Sequence, residues 1–145
     1  MANDSIELII VTPERQLLHE NVNEVVLPGA AGELGVLPGH APLITELGIG
    51  ELTYRGAAAN PKASIAIIQG FAEVLGHRVT VLAETAERAA EIDLARAEAA
   101  KARAEKRLTA GDPNIDWDHA VIALQRALIR IQVARKYRGS SGEAH

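Results

Sequence analysis

Asp93 and Arg96 stand three apart in Ile92-Asp-Leu-Ala-Arg-Ala97, Arg103 and Arg107 follow Arg96 at seven and eleven positions, and Arg126 and Arg130 lie four apart farther on. On helices these spacings keep side chains near one face. If two such helices fold back on each other, the guanidiniums converge, and converged guanidiniums suit a polyphosphate through charge-assisted, bidentate hydrogen bonds. Asp93 would then accept from an adenine amino group or orient an arginine. The same spacing reads more simply as exposed ion pairing, for example Asp93 with Arg96, at about 0.2–0.5 kcal/mol per pair. The residues alone favour that simpler reading.

A second stretch with the ingredients of chemistry is Gly32-Glu-Leu-Gly-Val-Leu-Pro-Gly-His-Ala-Pro-Leu43. Glu33 and His40 are an acid and a base, but no nucleophile accompanies them. A phosphate cradle needs a terminal Gly-Lys-Ser/Thr and a following helix N-terminus, and neither is evident. The five histidines, His19, His40, His77, His119 and His145, show no ligand spacing. What the stretch offers is shape. Its glycines allow positive φ, and Pro38 and Pro42 fix φ and withhold amide donors. Leu34, Val36 and Leu37 are expected to pack inward, leaving Glu33 and His40 at the rim of a stiff loop suited to docking.

Composition narrows the field further. The 145 residues carry a formal net charge of −4, no cysteine and four aromatic side chains, Tyr54, Phe71, Trp117 and Tyr137. Disulfides, thiol catalysis and thiolate zinc are excluded, and a reducing compartment fits. The acidic balance and scarce aromatics argue against nucleic acid as a partner. The opening Met1–Val11 has no basic flank and only a short apolar run, so no secretory signal is expected, and no apolar run reaches membrane-spanning length. Charge is uneven: His119–His145 holds Arg126, Arg130, Arg135, Lys136 and Arg138 against Glu143 alone. Such an end suits an acidic partner surface, although a solvated helix face explains the charge as well.

These residues must be positioned by two kinds of element. Up to about residue 85, short β-branched runs stop at Gly, Pro or Asn. The expected strands are Ser5–Val11, Gln16–Glu20, Glu24–Leu27, Glu51–Arg55, Ser64–Gln69, Ala72–Leu75 and Arg78–Leu82, with hairpins turning at Gly70 and Gly76. From Thr85 to Tyr137 helix formers dominate. Gly111 can end one helix and Asp116 can cap the next. The prediction is an α+β chain: an N-terminal β-sandwich (flattened barrel) over 1–85, a C-terminal antiparallel α-helical hairpin within 86–138, and a flexible tail at 139–145. The helices are expected at about 87–109 and 117–137. The second has a seam of Trp117, Val121, Leu124, Leu128 and Ile131; the first has a weaker one of Ala90, Leu94, Ala97, Ala104 and Leu108. A hairpin so poor in large apolar side chains should be marginally stable alone.

The stretch Gly32–Leu43, with Val79-Thr-Val-Leu-Ala-Glu-Thr-Ala86 and the Ala-rich hairpin after it, resembles the epsilon subunit of bacterial F-type ATP synthases. The resemblance spans nearly the whole chain before Gly139. It implies a non-catalytic rotor subunit on the cytoplasmic face of the cell membrane, peripheral to it and without insertion into it. Its implied partners are the gamma subunit, the c-ring and the alpha/beta catalytic head. Glu33, Gly35 and His40 match the family's c-ring and gamma contacts. Ile-Asp-x-x-Arg-Ala is similar to the motif of those epsilon subunits that bind ATP. This implies Glu87, Asp93, Arg96, Arg103, Arg126 and Arg130 as ATP contacts, with ATP a regulatory ligand and no obligatory cofactor. It also implies a hairpin that opens, presents Arg126, Arg130, Arg135, Lys136 and Arg138 to a beta subunit, and blocks ATP hydrolysis. The alternative is a stand-alone ATP-sensing module with little inhibitory role.

Overall fold

A computed structural model describes residues 4–56 and 62–143, with side-chain surroundings through Tyr137. The chain divides into two compact units, Met1–Arg88 and Ala89–His145. The first contains β1 (Ile6–Val11), β2 (Gln16–Gly29), β3 (Gly32–Val36), β4 (His40–Gly56), β5 (Ala63–Gly76) and β6 (Arg78–Arg88). The second contains a single 3-10 turn (Ala89–Glu91), α1 (Leu94–Thr109) and α2 (Trp117–Glu143). The α+β architecture expected from the sequence is what the chain adopts.

The sheet runs β1-β6-β5-β4-β2-β3, and β1 also pairs with β2. That extra pairing closes five strands into a flattened barrel, with β3 added beside β2. β1 is parallel to β6, and the other pairs are antiparallel. Ile6, Leu8 and Ile10 of β1 are fully buried in a core with Val22, Val25, Leu27, Leu52, Ile67, Val74, Val79 and Val81.

Four strands are longer than their sequence punctuation suggests, because each changes its inward face midway. In β2 the core positions pass from Leu18 and Val22 to Val25 and Leu27, with a register shift between Val22 and Glu24. In β4 they pass from Leu47 to Leu52 and Tyr54, in β5 from Ile65 and Ile67 to Ala72 and Val74, and in β6 from Val81 and Ala83 to Ala86. Strands that serve both layers of a sandwich bend in this way at its corners. Gly70, expected as a hairpin turn, is instead the bend in β5. Its φ is +147°, and a Cβ there would lie 2.1 Å from the Leu82 carbonyl oxygen. Gln69 beside it has φ 57°, an uncommon value for a non-glycine residue. Gly76 does turn a hairpin, at φ 26° between β5 and β6.

β6 continues to Arg88, and α1 begins at Leu94 rather than near residue 87. Pairing of Ala66 with Glu87 and Ile65 with Arg88 extends the ladder through residues whose propensity reads as helical. At the other end the backbone of α2 runs on to Glu143.

The helical unit departs from expectation in its seam. α1 buries Ala97 and Ala104, with Leu94 and Leu108 half-buried, but Ala90 is exposed and lies before the helix. α2 buries Ala120, Ala127, Ile131, Val133 and Ala134; of the expected seam Ile131 is buried and Leu124 half-buried, while Trp117, Val121 and Leu128 are exposed. Ala97 and Ala104 are seven apart, as are Ala120, Ala127 and Ala134. Small side chains on both helices let the backbones approach, since interaxial distance follows the side chains at the contact. The larger apolar groups on α2 lie one position round from the alanines.

Candidate functional site

The Gly32–Leu43 stretch folds as strand, turn and strand rather than as an irregular loop. Ala30 and Ala31 connect β2 to β3, and β3 pairs Leu34 with Leu27 and Gly35 with Val26. Then Leu37-Pro-Gly-His40 closes a turn, with His40 N donating to the Leu37 carbonyl at 3.1 Å. Proline at its second position and Gly39 at φ 87° at its third match a type II turn. Gly39 N also donates to the Gly76 carbonyl at 2.8 Å, tying this turn to the β5–β6 hairpin. Val36 is buried and Leu34 packs on the core, as expected. Leu37, expected inside, is exposed, because the turn carries it past the end of the core. Glu33 and Gly35 are exposed on β3, and His40 is half-buried at the start of β4, its Nδ1 2.7 Å from the Ala41 carbonyl.

A larger surface escaped the sequence reading. Ile44 (73% exposed), Phe71 (56%), Leu75 (43%) and Leu82 (57%) all point outward from β4, β5 and β6. Phe71 pairs with Leu82, and Leu82 is itself opposite Val11 of β1. The side chains therefore share one face, where half-buried Ile9 and Val11 continue it. Contiguous apolar surface of this kind marks a site for another protein. The signal available in sequence was the second apolar set in the alternation of β5 and β6.

A polar strap borders the same face. The Glu7 carboxylate lies 2.6 Å from His19 Nε2 on β2 and accepts from Arg78 Nε on β6 at 2.9 Å. These two hydrogen bonds, His19 first, hold the Glu7 carboxyl below its ordinary value. His19 also lines a groove of about 330 Å³, together with its β2 neighbours Gln16–Leu18 and Glu20 and with Arg88. Arg88 Nη2 donates to the Leu17 carbonyl at 2.6 Å, and the Tyr54 hydroxyl donates to Glu20 at 3.1 Å. Desolvation, followed by the charge of Glu20, pushes the Tyr54 phenol up to about 12.

In the helical unit, Asp93 caps α1: its Oδ1 accepts from Arg96 N at 3.1 Å. That is the ordinary N-cap bond to the third helical amide, and among the described residues no ion pair joins Asp93 to the Arg96 guanidinium. Asp116 caps α2 in the same way, accepting from His119 N at 3.1 Å, and Gly111, at φ 74°, follows the last turn of α1. Arg96 and Arg103 each precede a buried alanine of α1, while Arg126 and Arg130 precede the buried Ala127 and Ile131 of α2. In an antiparallel pair of right-handed helices, residues one position before the seam fall on the same side of both. The four arginines therefore line one side of the hairpin. The opposite side is fixed by residues one position after the seam, where Arg135 Nη2 meets Glu98 at 3.0 Å. That ion pair sets the level of the helices and brings Arg103 close to the level of Arg130. Arg96, Arg103 and Arg126 are exposed, and Arg130 is half-buried and engaged. Lys136 is exposed on α2, and the Arg138 side chain lies outside the described residues. Glu87 belongs to the sandwich unit, on β6 opposite Ala66. Among the described residues no group of carboxylates and imidazoles could hold a metal ion, and no helix is long and apolar enough to cross a membrane.

Residues 5–89 match the model of the ATP synthase delta/epsilon chain β-sandwich domain, and residues 90–135 that of the delta/epsilon chain long α-helix domain. The chain belongs to the ATP synthase delta/epsilon family. It is 50% identical over 135 residues to the ATP synthase epsilon chain of Geobacter sulfurreducens, covering 92% of this chain and 96% of that one. The epsilon chain of Syntrophobacter fumaroxidans is 48% identical over 133 residues, covering 92% and 98%. Among solved structures, a chain of the Euglena gracilis mitochondrial ATP synthase, in an assembly of OSCP, F1 and c-ring, superposes with a TM-score of 0.75 at 25% identity, covering 86% of this chain and 78% of that one. A chain from the central stalk and c-ring of the Tetrahymena thermophila enzyme shares the fold at a TM-score of 0.57 and 13% identity, covering 91% and 95%. The boundary between the two family models, between residues 89 and 90, falls within a residue of the boundary between the two compact units.

Proposed function

We propose that this family member is a non-catalytic central-stalk rotor subunit of a proton-translocating F-type ATP synthase. It couples the c-ring to gamma, and its C-terminal hairpin inhibits ATP hydrolysis and binds ATP. The observation that carries this reading is the near-full-length identity, about half of all positions, with curated epsilon chains. The molecule's physics supports it. A closed barrel with a dense apolar core is a stiff body able to transmit force. The outward face of Ile44, Phe71, Leu75 and Leu82 gives gamma a surface to cover. β3 and the turn that follows it, tied down by the Gly39–Gly76 hydrogen bond, carry Glu33, Gly35 and His40 as contacts for the ring and stalk. This location is peripheral, at the cytoplasmic face of the membrane that holds the ring.

The hairpin supplies the regulated part. Its alanine seam buries little area, so opening costs little. Arg96, Arg103, Arg126 and Arg130 on one side offer donors to a polyphosphate that would hold the helices together, with Asp93 at the start of α1 as a further contact. Opening would release Arg135 from Glu98 and present Arg126, Arg130, Arg135, Lys136 and Arg138 to an acidic segment of a beta subunit. ATP at ten times its dissociation constant would favour the closed hairpin by about 1.4 kcal/mol.

Two measurements test this. A chain ending at Arg88 should assemble into the complex and raise its ATP hydrolysis. Assembly with unchanged hydrolysis removes the inhibitory role. Calorimetric titration of the isolated chain with ATP, with and without magnesium, should give binding that Arg126→Ala weakens at least tenfold. Binding without any inhibitory effect would favour the stand-alone ATP sensor, and the parallel arginine rows are the observation on that side.

A further inference from the structure

The outer face carries a charge that its docking role does not require. Glu7, on β1, is bound on one flank by His19 of β2 and on the other by Arg78 of β6. Arg78 stands directly opposite Leu75, one of the exposed apolar side chains of the face. A partner that covers Leu75 reaches Arg78, and Arg78 is joined through Glu7 to the His19 imidazole.

We infer that the His19–Glu7–Arg78 strap makes docking on this face acid-sensitive, a proton on His19 loosening the attachment of the sandwich to gamma. The inference rests on the docking reading given above. With a neutral imidazole the strap is balanced, one carboxylate against one guanidinium. Histidine is the side chain whose charge changes in the neutral range. A proton on it adds a positive charge without a second anion in the strap, and desolvating an uncompensated charge is costly. The remaining charges on this face give the same sign. Glu46 of β4, Glu73 of β5 and Glu84 of β6 lie at outward positions of their strands, so with Glu7 the face is acidic and suits a basic partner surface. Protonation of His19 reduces that acidity.

The test is affinity between the full chain and purified gamma subunit from pH 8 to pH 5.5 at constant ionic strength. The dissociation constant of the wild type should rise on acidification, by up to about tenfold per pH unit, the limit for one linked proton. His19→Gln keeps a hydrogen-bond donor for Glu7 and should flatten the profile, whatever its affinity at pH 8. His77→Gln should leave the wild-type profile unchanged. An equal acid dependence in wild type and His19→Gln, or a pH-independent wild type, overturns the switch and leaves docking intact. Absence of association at every pH overturns the docking reading and the switch together. Circular dichroism across the same range, expected to be constant, separates loosened docking from unfolding.

Discussion

At Gly70 the backbone has no room for a side chain. A Cβ would meet Leu82 O at 2.1 Å and Ala83 Cα at 2.8 Å, and φ is positive. Gly70→Ala should destabilise the sandwich by at least about 2 kcal/mol, read from the urea midpoint. Asp93 offers the opposite kind of test, since its observed bond is a helix cap and its proposed role is toward ATP. Asn caps as well as Asp does, whereas Ala costs about 1 kcal/mol. Asp93→Asn should therefore leave the thermal melt unchanged while weakening ATP binding, and Asp93→Ala should lower both. Equal ATP binding by wild type and Asp93→Asn would reduce this residue to its capping role. For Glu7 the sign of the pH effect follows from its lowered folded-state pKa. Ionised Glu7 stabilises the fold above the unfolded-chain value of about 4.3, and that contribution is lost as pH falls through the lower folded value. Melting temperatures of wild type and Glu7→Gln should differ near neutrality and converge as acid protonates the folded-state carboxylate.

The α1–α2 pair illustrates why element-level patterns mislead. α2 carries two stripes at helical spacing: large apolar groups at Trp117, Val121, Leu124 and Leu128, which with the buried Ile131 make up the expected seam, and alanines at Ala120, Ala127 and Ala134. Reading hydrophobicity alone selects the larger stripe. The partner helix selects the smaller: Ala97 and Ala104 of α1 are buried along with Ala120, Ala127 and Ala134 of α2, and small side chains on both helices favour a close contact. Ala127→Leu should overpack the seam and cost about 1–3 kcal/mol in helix unfolding followed by circular dichroism. Leu128→Ala, on the exposed stripe, should change it by no more than about 0.5 kcal/mol. The reverse order of effects would restore the seam expected from sequence. Strand ends pose a related difficulty. Gly70 and the register shift after Val22 look like turns in sequence because bends and turns use the same backbone chemistry.

On the scale of the whole chain, the sandwich core runs from Ile6 to Ala86 within a single unit. A chain ending at Arg88 should consequently give a cooperative urea transition, and a non-cooperative one would assign the helices a role in folding the sandwich. The sequence by itself determined the class of fold, the change from strand to helix, the Gly76 hairpin, Gly111 at the end of α1, the Asp116 cap of α2 and, through contiguous motifs, the family. All of these rest on local chemistry: propensity, periodicity, φ preferences and the spacing of short motifs. Only the tertiary structure decided where β6 ends, which stripe of α2 is buried, that Gly70 bends a strand, and that Ile44, Phe71, Leu75 and Leu82 share an outward face. Each of those depends on which residues lie opposite one another across a ladder or a helix contact, and such pairing joins positions too far apart in the chain for local preference to specify.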